Sequence, residues 1–259
     1  AAWKDWYTCI TTTLNGVTVA GLYFVVASGF TLIFGLMRVV NMAHGTFFLL
    51  GGYIALSLQR SWVGKGDIGL QSSDINRFFV EWVLPLLIGA GVVGLVGLLM
   101  QQSLLRWNQG QDLRQALITI AISIIAADLM LWKFGGVAKD IAIPQRLDRF
   151  VDLRVQGVQY SVFRLFILAV AVALGLLLYL WLKRTRTGMV IRAGVDDRAM
   201  VQALGINIQI TFAIAFFVGS FLAGLGGGFG GSFGTLAPGL DGQWLLNSLV
   251  VVIIGGMGS

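Results

Sequence analysis

Residues 163–182 read FRLFILAVAVALGLLLYLWL, twenty positions with one charge, Arg164, followed at once by Lys183-Arg184. A bilayer core about 30 Å thick needs roughly 20 apolar residues wound as a helix. The run is continuous rather than alternating, and only helices or closed barrels satisfy their backbone in lipid, so it reads as a membrane-spanning helix. Six further runs lie around it, at about 9–37, 42–58, 79–101, 115–134, 209–234 and 244–259. Asn15 and Gly16 interrupt the apolar run of the first. The last ends at Gly255-Gly256-Met257-Gly258-Ser259 with no exit flank, so the natural chain is expected to continue. The first residue is Ala, so the natural start is expected upstream. The fold class that follows is an all-α polytopic membrane protein, one transmembrane domain over residues 1–259.

Composition points the same way. Hydrophobic residues make up 57% of the 259 and charged residues 12%, against about 45–50% and about 25% in soluble domains. That excludes an ordinary globular enzyme, a disordered chain and a nucleic-acid arm. The net charge of +6 reads as topology-setting loops, with no nucleic acid expected as partner. Cys9 and His44 are the only residues of their kinds, so no metal site is expected.

The segment 183–208 carries Lys183, Arg184, Arg186, Arg192 and Arg198 against Asp196 and Asp197. The positive-inside rule puts it in the cytoplasm, and the N-terminus outside. Ten of the eighteen basic residues then fall on the other side; the local density decides the orientation. The polar stretch 135–162 is nearly balanced in charge.

Thirty-five glycines would be odd in soluble helices, where each costs about 1 kcal/mol relative to Ala. Between membrane helices small residues permit close approach. Gly91, Gly94 and Gly97 recur every three residues, and Ser220, Gly224 and Gly228 every four. The run Gly226–Gly231 is expected to fray or break, with Gly224, Gly227, Gly228 and Gly231 as packing or hinge positions. Gly226, Gly228 and Gly231 also fit G-x-G-x-x-G, without the preceding strand or the later acid. Gly230, Ser232 and Gly234 fit G-x-S-x-G. The only histidine, His44, is expected at the opposite face, about 30 Å away, so both matches read as products of glycine density.

Arg38-Val39-Val40-Asn41-Met42-Ala43-His44-Gly45 gathers a charge, an amide and an imidazole in a chain that otherwise avoids them. Two readings stand: a capping turn in which Asn41 bonds local backbone, or a translocation path lined by Asn41, His44 and Gly45. Asp128, inside the fourth span, is a carboxylate reaching the interface or another helix, or a cavity group facing a substrate ammonium.

In the 183–208 loop, Asp196 reads as a helix N-cap, Asp197 as favouring the positive helix end, and Gly205 as a stop. Between them the spacing predicts about two turns, with Ala199, Met200, Ala203 and Leu204 on one face. Such a helix fills a partner's groove or folds back on the membrane ends.

GFTLIFGLMRVVNMAHGTFFLLGG at Gly29–Gly52, RAGVDDRAMVQALGI at Arg192–Ile206 and VVVIIGGMGS at Val250–Ser259 resemble the permease subunits of branched-chain amino-acid ABC importers. The likeness covers nearly the whole chain. It implies a bundle of the type II ABC importer permease fold in the bacterial inner membrane. It also implies a second permease, two ATPase subunits and a periplasmic solute-binding protein as partners. On that resemblance Arg192, Ala193, Asp196, Asp197, Arg198, Ala199, Met200, Ala203, Leu204, Gly205 and Ile206 form the ATPase-coupling segment. The chain itself is then no enzyme and holds no cofactor, with ATP and Mg on the partner ATPase. The residues agree on one point: Gly64-Lys65 is no Walker A loop, since Gln59 stands where the first glycine should and Gly66 follows the lysine. The alternative is a stand-alone channel or ion-coupled carrier. That would need several intramembrane carboxylates, and Asp128 is the one candidate.

Overall fold

The apolar runs leave the backbone no partner but itself, and helices result. The structure, a computed structural model, describes residues 2–37, 40–63, 78–152 and 159–256. In chain order the helices are α1 (Ala2–Met37), α2 (His44–Val63), α3 (Phe79–Asn108), α4 (Asp112–Phe134), α5 (Val162–Arg184), α6 (Arg186–Asp196), α7 (Arg198–Ala203), α8 (Ile208–Phe233) and α9 (Leu240–Gly255). Among the described residues α1, α3, α4, α5 and α8 are each long and apolar enough to cross a membrane, and α9 is a shorter apolar helix.

The all-α expectation meets one small exception. Strands β1 (Phe150–Asp152) and β2 (Gln159–Ser161) pair antiparallel, with Val151 opposite Tyr160. They form inside the polar 135–162 stretch, where the chain lacks an apolar run and β-forming Phe, Val and Tyr stand close together.

Helix α8 is the axis of the bundle, packed against α1, α2 and α3. Leu222 through Ser232 are all buried. Its small-residue ridge seats on α3: Ser220 meets Gly97, Gly224 meets Ala90 and Val93, and Gly228 meets Leu86. Gly94 admits the Phe217 ring, while Gly91 faces open space, so the three-residue glycine row contributes two contacts rather than three.

The predicted fraying of Gly226–Gly231 does not occur; α8 runs unbroken to Phe233. A side chain at Gly227 would overlap the Phe48 carbonyl oxygen, so the glycines are the condition for two backbones to touch. Buried backbone has no water to turn to, and an opened helical bond would stay unmade. Helix α1 runs continuously through Asn15 and Gly16, where the apolar run is interrupted. The Asn15 amide oxygen instead accepts a hydrogen bond from Arg164.

The end of the bundle carrying Arg164 is pinned by polar contacts. Tyr160 Oη donates to the Leu14 carbonyl at 2.8 Å and lies 2.8 Å from Thr18 Oγ1. Arg164 sits over the Tyr160 and Phe233 rings, 6.0 and 5.4 Å from their centroids. Gln59 pairs with the Ala142 backbone in both directions at 3.0 Å, and Lys139 bridges to Leu236. Gly64 and Lys65 lie outside the described residues. On the flanks, α4 and α5 leave Leu117, Ile124, Trp132, Leu176 and Leu177 exposed. That apolar surface suits a hydrocarbon surround.

Candidate functional site

Helix α1 ends at Met37, yet α2 begins deep in the bundle. His44 Nε2 lies 3.0 Å from the carbonyl oxygen of Val26, eleven residues back along α1, or about 16 Å at 1.5 Å per residue. The His44 ring also meets Phe30 edge-on, centroids 5.3 Å apart. His44 therefore does not sit at the face of the bundle where the sequence put it. Asn41 and His44 are both buried, and the His44 imidazole finds its partner on α1 rather than in water.

Local chemistry sets the turn. Asn41 Oδ1 accepts from the Ala43 N–H at 3.1 Å, and the His44 N–H donates to the Asn41 carbonyl at 3.2 Å. This is the capping geometry that was one of the two readings. Arg38 lies outside the described residues. Two further elements, α4 and α9, close round the turn. The Met42 N–H donates to Thr119 Oγ1 of α4 at 3.2 Å. Thr46 Oγ1 lies 2.8 Å from Ser123 Oγ of α4 and donates to Asp241 Oδ2 of α9 at 3.5 Å. Gly45 packs directly on the Asp241 backbone. Asn41 Nδ2 and His44 Nδ1 are buried without a partner.

Sequence reasoning missed Thr46, Thr119, Ser123 and Asp241. Only the four-residue step from Thr119 to Ser123, which puts both hydroxyls on one face of α4, could have pointed to them. The same stripe continues to buried Met130. Asp128 precedes Met130 by two residues, about 200° round the helix, and is exposed. The structure thus brings Asn41, His44 and Gly45 together and leaves Asp128 apart from them.

Ser232 is a packing residue. Its hydroxyl accepts from Trp82 Nε1 and donates to the Gly228 carbonyl, both at 3.2 Å. No group of three possible metal-binding His, Cys, Asp or Glu occurs among the described residues.

At the basic end the sequence predicted one helix of about two turns; the structure has two. Thr185 caps α6 by accepting the Gly188 N–H at 3.1 Å. Gly188, Ile191 and Gly194 form its buried face, with Gly194 against Leu36. Asp196 ends α6 and does not cap the next helix. That cap is Asp197, whose Oδ1 accepts from the Met200 N–H at 3.0 Å. A residue in extended conformation is needed between the two helices, and Asp197 supplies it at φ −145°.

Helix α7 is anchored on one side. Val201 is buried, and Arg198 donates to the Leu36 carbonyl and lies 5.4 Å over the Phe212 ring. Gly205, at φ +77°, closes the turn after it, as the sequence reading expected. Ala199, Met200, Ala203, Leu204 and Ile206 face outward, Met200 at 59% and Leu204 at 70% exposure. Ala193 is also exposed. The apolar face of α7 is thus turned away from the bundle.

A family model described as branched-chain amino acid transport system / permease component matches residues 12–259. The chain belongs to that family. It is a helical, polytopic membrane protein, as the sequence motifs implied. It is 26% identical over 206 residues to the high-affinity branched-chain amino acid transport system permease protein BraD of Pseudomonas aeruginosa, covering 77% of this chain and 64% of the relative. LivH of Escherichia coli K12, which carries the same descriptive name, is 26% identical over 214 residues, covering 76% and 64%. The probable branched-chain amino acid transport permease protein LivH of Methanocaldococcus jannaschii is 25% identical over 205 residues, covering 76% and 58%. The chain spans less than two thirds of the length of the relatives it matches. No solved structure matches it.

Proposed function

We propose that this chain is the permease subunit of an ATP-driven importer for branched-chain or related amino acids, seated in the inner membrane. It works with a second permease subunit, two ATPase subunits and a periplasmic solute-binding protein. ATP and Mg belong to the ATPases, and this chain performs no catalysis. The permease family and the printed names of its relatives support the solute class. The observation that carries the coupling role is α7. Its inner side is fixed to Leu36 and Phe212, and its apolar outer side stands free at the basic end. An amphipathic helix of that kind is a ready ligand for a groove on a partner.

The mechanism follows from the anchoring. A push on Met200 or Leu204 passes through Val201 and Arg198 into the end of α1 and the start of α8. Tilting those helices against the rest of the bundle would open the solute path to alternate sides. The junction of Asn41, His44 and Gly45 joins α2 to α1, α4 and α9, and serves as the pivot about which such a tilt turns.

The test is reconstitution of the purified assembly in proteoliposomes. Leucine uptake is expected to need ATP and the solute-binding protein, and to fall together with ATPase co-purification in a Met200→Asp, Leu204→Asp variant. Uptake without any ATPase partner would overturn the reading in favour of a stand-alone carrier.

A further inference from the structure

A cleft of about 520 Å³ opens between α1, α5 and α6, lined by no residue of the Asn41–Gly45 junction and by none of α7. Its wall on α1 runs from Phe24 to Gly35, about 16 Å at 1.5 Å per residue. That is close to half of a bilayer core about 30 Å thick. Leu32, Leu178 and Leu182 make the sides apolar. The Ser28 and Thr31 hydroxyls in the wall donate back to the Val25 and Ala27 carbonyls at 2.8 Å, so they ask nothing of an occupant. At the basic end the cleft is closed by Arg192 and Asp196. These are four residues apart and therefore neighbours on one face of α6.

We propose that this cleft binds one phospholipid whose headgroup carries both a phosphate and a primary ammonium, of the phosphatidylethanolamine kind. The acyl chain lies along the α1–α5 wall. The phosphate meets the Arg192 guanidinium, which forks onto anionic oxygens. The ammonium meets Asp196 at the carbonyl-rich end of α6, where a cation is favoured. An amino-acid zwitterion offers the same two charges, but it would fill only the basic end and leave the apolar wall, about 16 Å long, bare. A choline headgroup has no N–H to give Asp196, and a glycerol headgroup has no cation.

The test is native mass spectrometry of the purified chain in detergent, titrated separately with phosphatidylethanolamine, phosphatidylcholine and phosphatidylglycerol of the same acyl composition. The ethanolamine lipid is expected to be retained several-fold over the other two. Arg192→Gln is expected to weaken retention of all three about tenfold, the loss of roughly 1.4 kcal/mol. Asp196→Asn should abolish the preference among headgroups. Gly35→Leu tests the cleft with the charged pair intact. A Cβ at Gly35 has only Val195 near it, at 3.9 Å, so the larger side chain grows into the cleft without disturbing the helix; it should exclude lipid. Equal retention of the three lipids, or unaltered binding in Gly35→Leu, overturns the proposal. Displacement of the lipid by millimolar leucine overturns it in favour of an amino-acid site. None of these readouts depends on transport or on an ATPase partner, so they stand apart from the proposed function.

Discussion

His44 Nε2 donates to the Val26 carbonyl oxygen at 3.0 Å, tying the first residue of α2 to the middle of α1. A carbonyl only accepts, so Nε2 carries a proton, while Nδ1 is buried without a partner. Replacing His44 by Ala removes this bond and the edge contact with Phe30. The expected loss is about 2–4 kcal/mol, seen as a lower unfolding temperature in detergent. Uptake should fall while the subunits still assemble; unchanged uptake would reduce the junction to a structural turn.

The α2–α8 contact predicts a contrast between glycines. Gly227→Ala drives a methyl into the Phe48 backbone and should destabilise the bundle by about 1–3 kcal/mol. Gly91→Ala, whose methyl meets nothing, should be neutral or stabilise α3 by up to about 1 kcal/mol. Thermal unfolding of the two variants side by side decides it.

Arg198 holds α7 from the inside, and Met200 and Leu204 present it. Arg198→Gln should lower both stability and ATPase co-purification. The Met200→Asp, Leu204→Asp pair should cut co-purification at least about tenfold with the unfolding temperature unmoved, since neither side chain is buried. A drop in stability in the double variant would mean that α7 packs differently.

Trp82 and Ser232 supply a simpler check. Ser232→Ala removes both hydrogen bonds of the buried hydroxyl and should cost about 1–3 kcal/mol, since the indole N–H is left unpaired. Uptake should persist, and an activated fluorophosphonate should not label the wild-type serine.

Asp128 is exposed and turned from the Thr119–Ser123 face. Asp128→Asn is therefore expected to leave substrate affinity and stability unchanged, measured by uptake kinetics and thermal unfolding. A clear rise in KM would restore the carboxylate to the solute path.

The long helices were legible because a continuous apolar run admits one solution in lipid, and the α7 stop was legible because Gly205 can take a positive φ. Helix α6 was not, since Arg186–Asp196 mixes charges, glycines and isolated apolar residues in a way that reads as a loop. Its helicity comes from packing Ile191 and Gly194 against the bundle. The depth of His44 was hidden for a related reason. Sequence counts residues along the chain, whereas depth is set by Val26, Thr119 and Asp241, each far away in sequence. The glycine run of α8 misled because propensity scales describe helices in water, and these glycines meet backbone instead.

The filled centre of the bundle has a consequence for traffic. Leu222 through Ser232 are all shut in by neighbours, so among the described residues the line of α8 is packed protein. In the importer proposed above, the conduit would therefore run beside this helix, with the second permease subunit supplying its other wall.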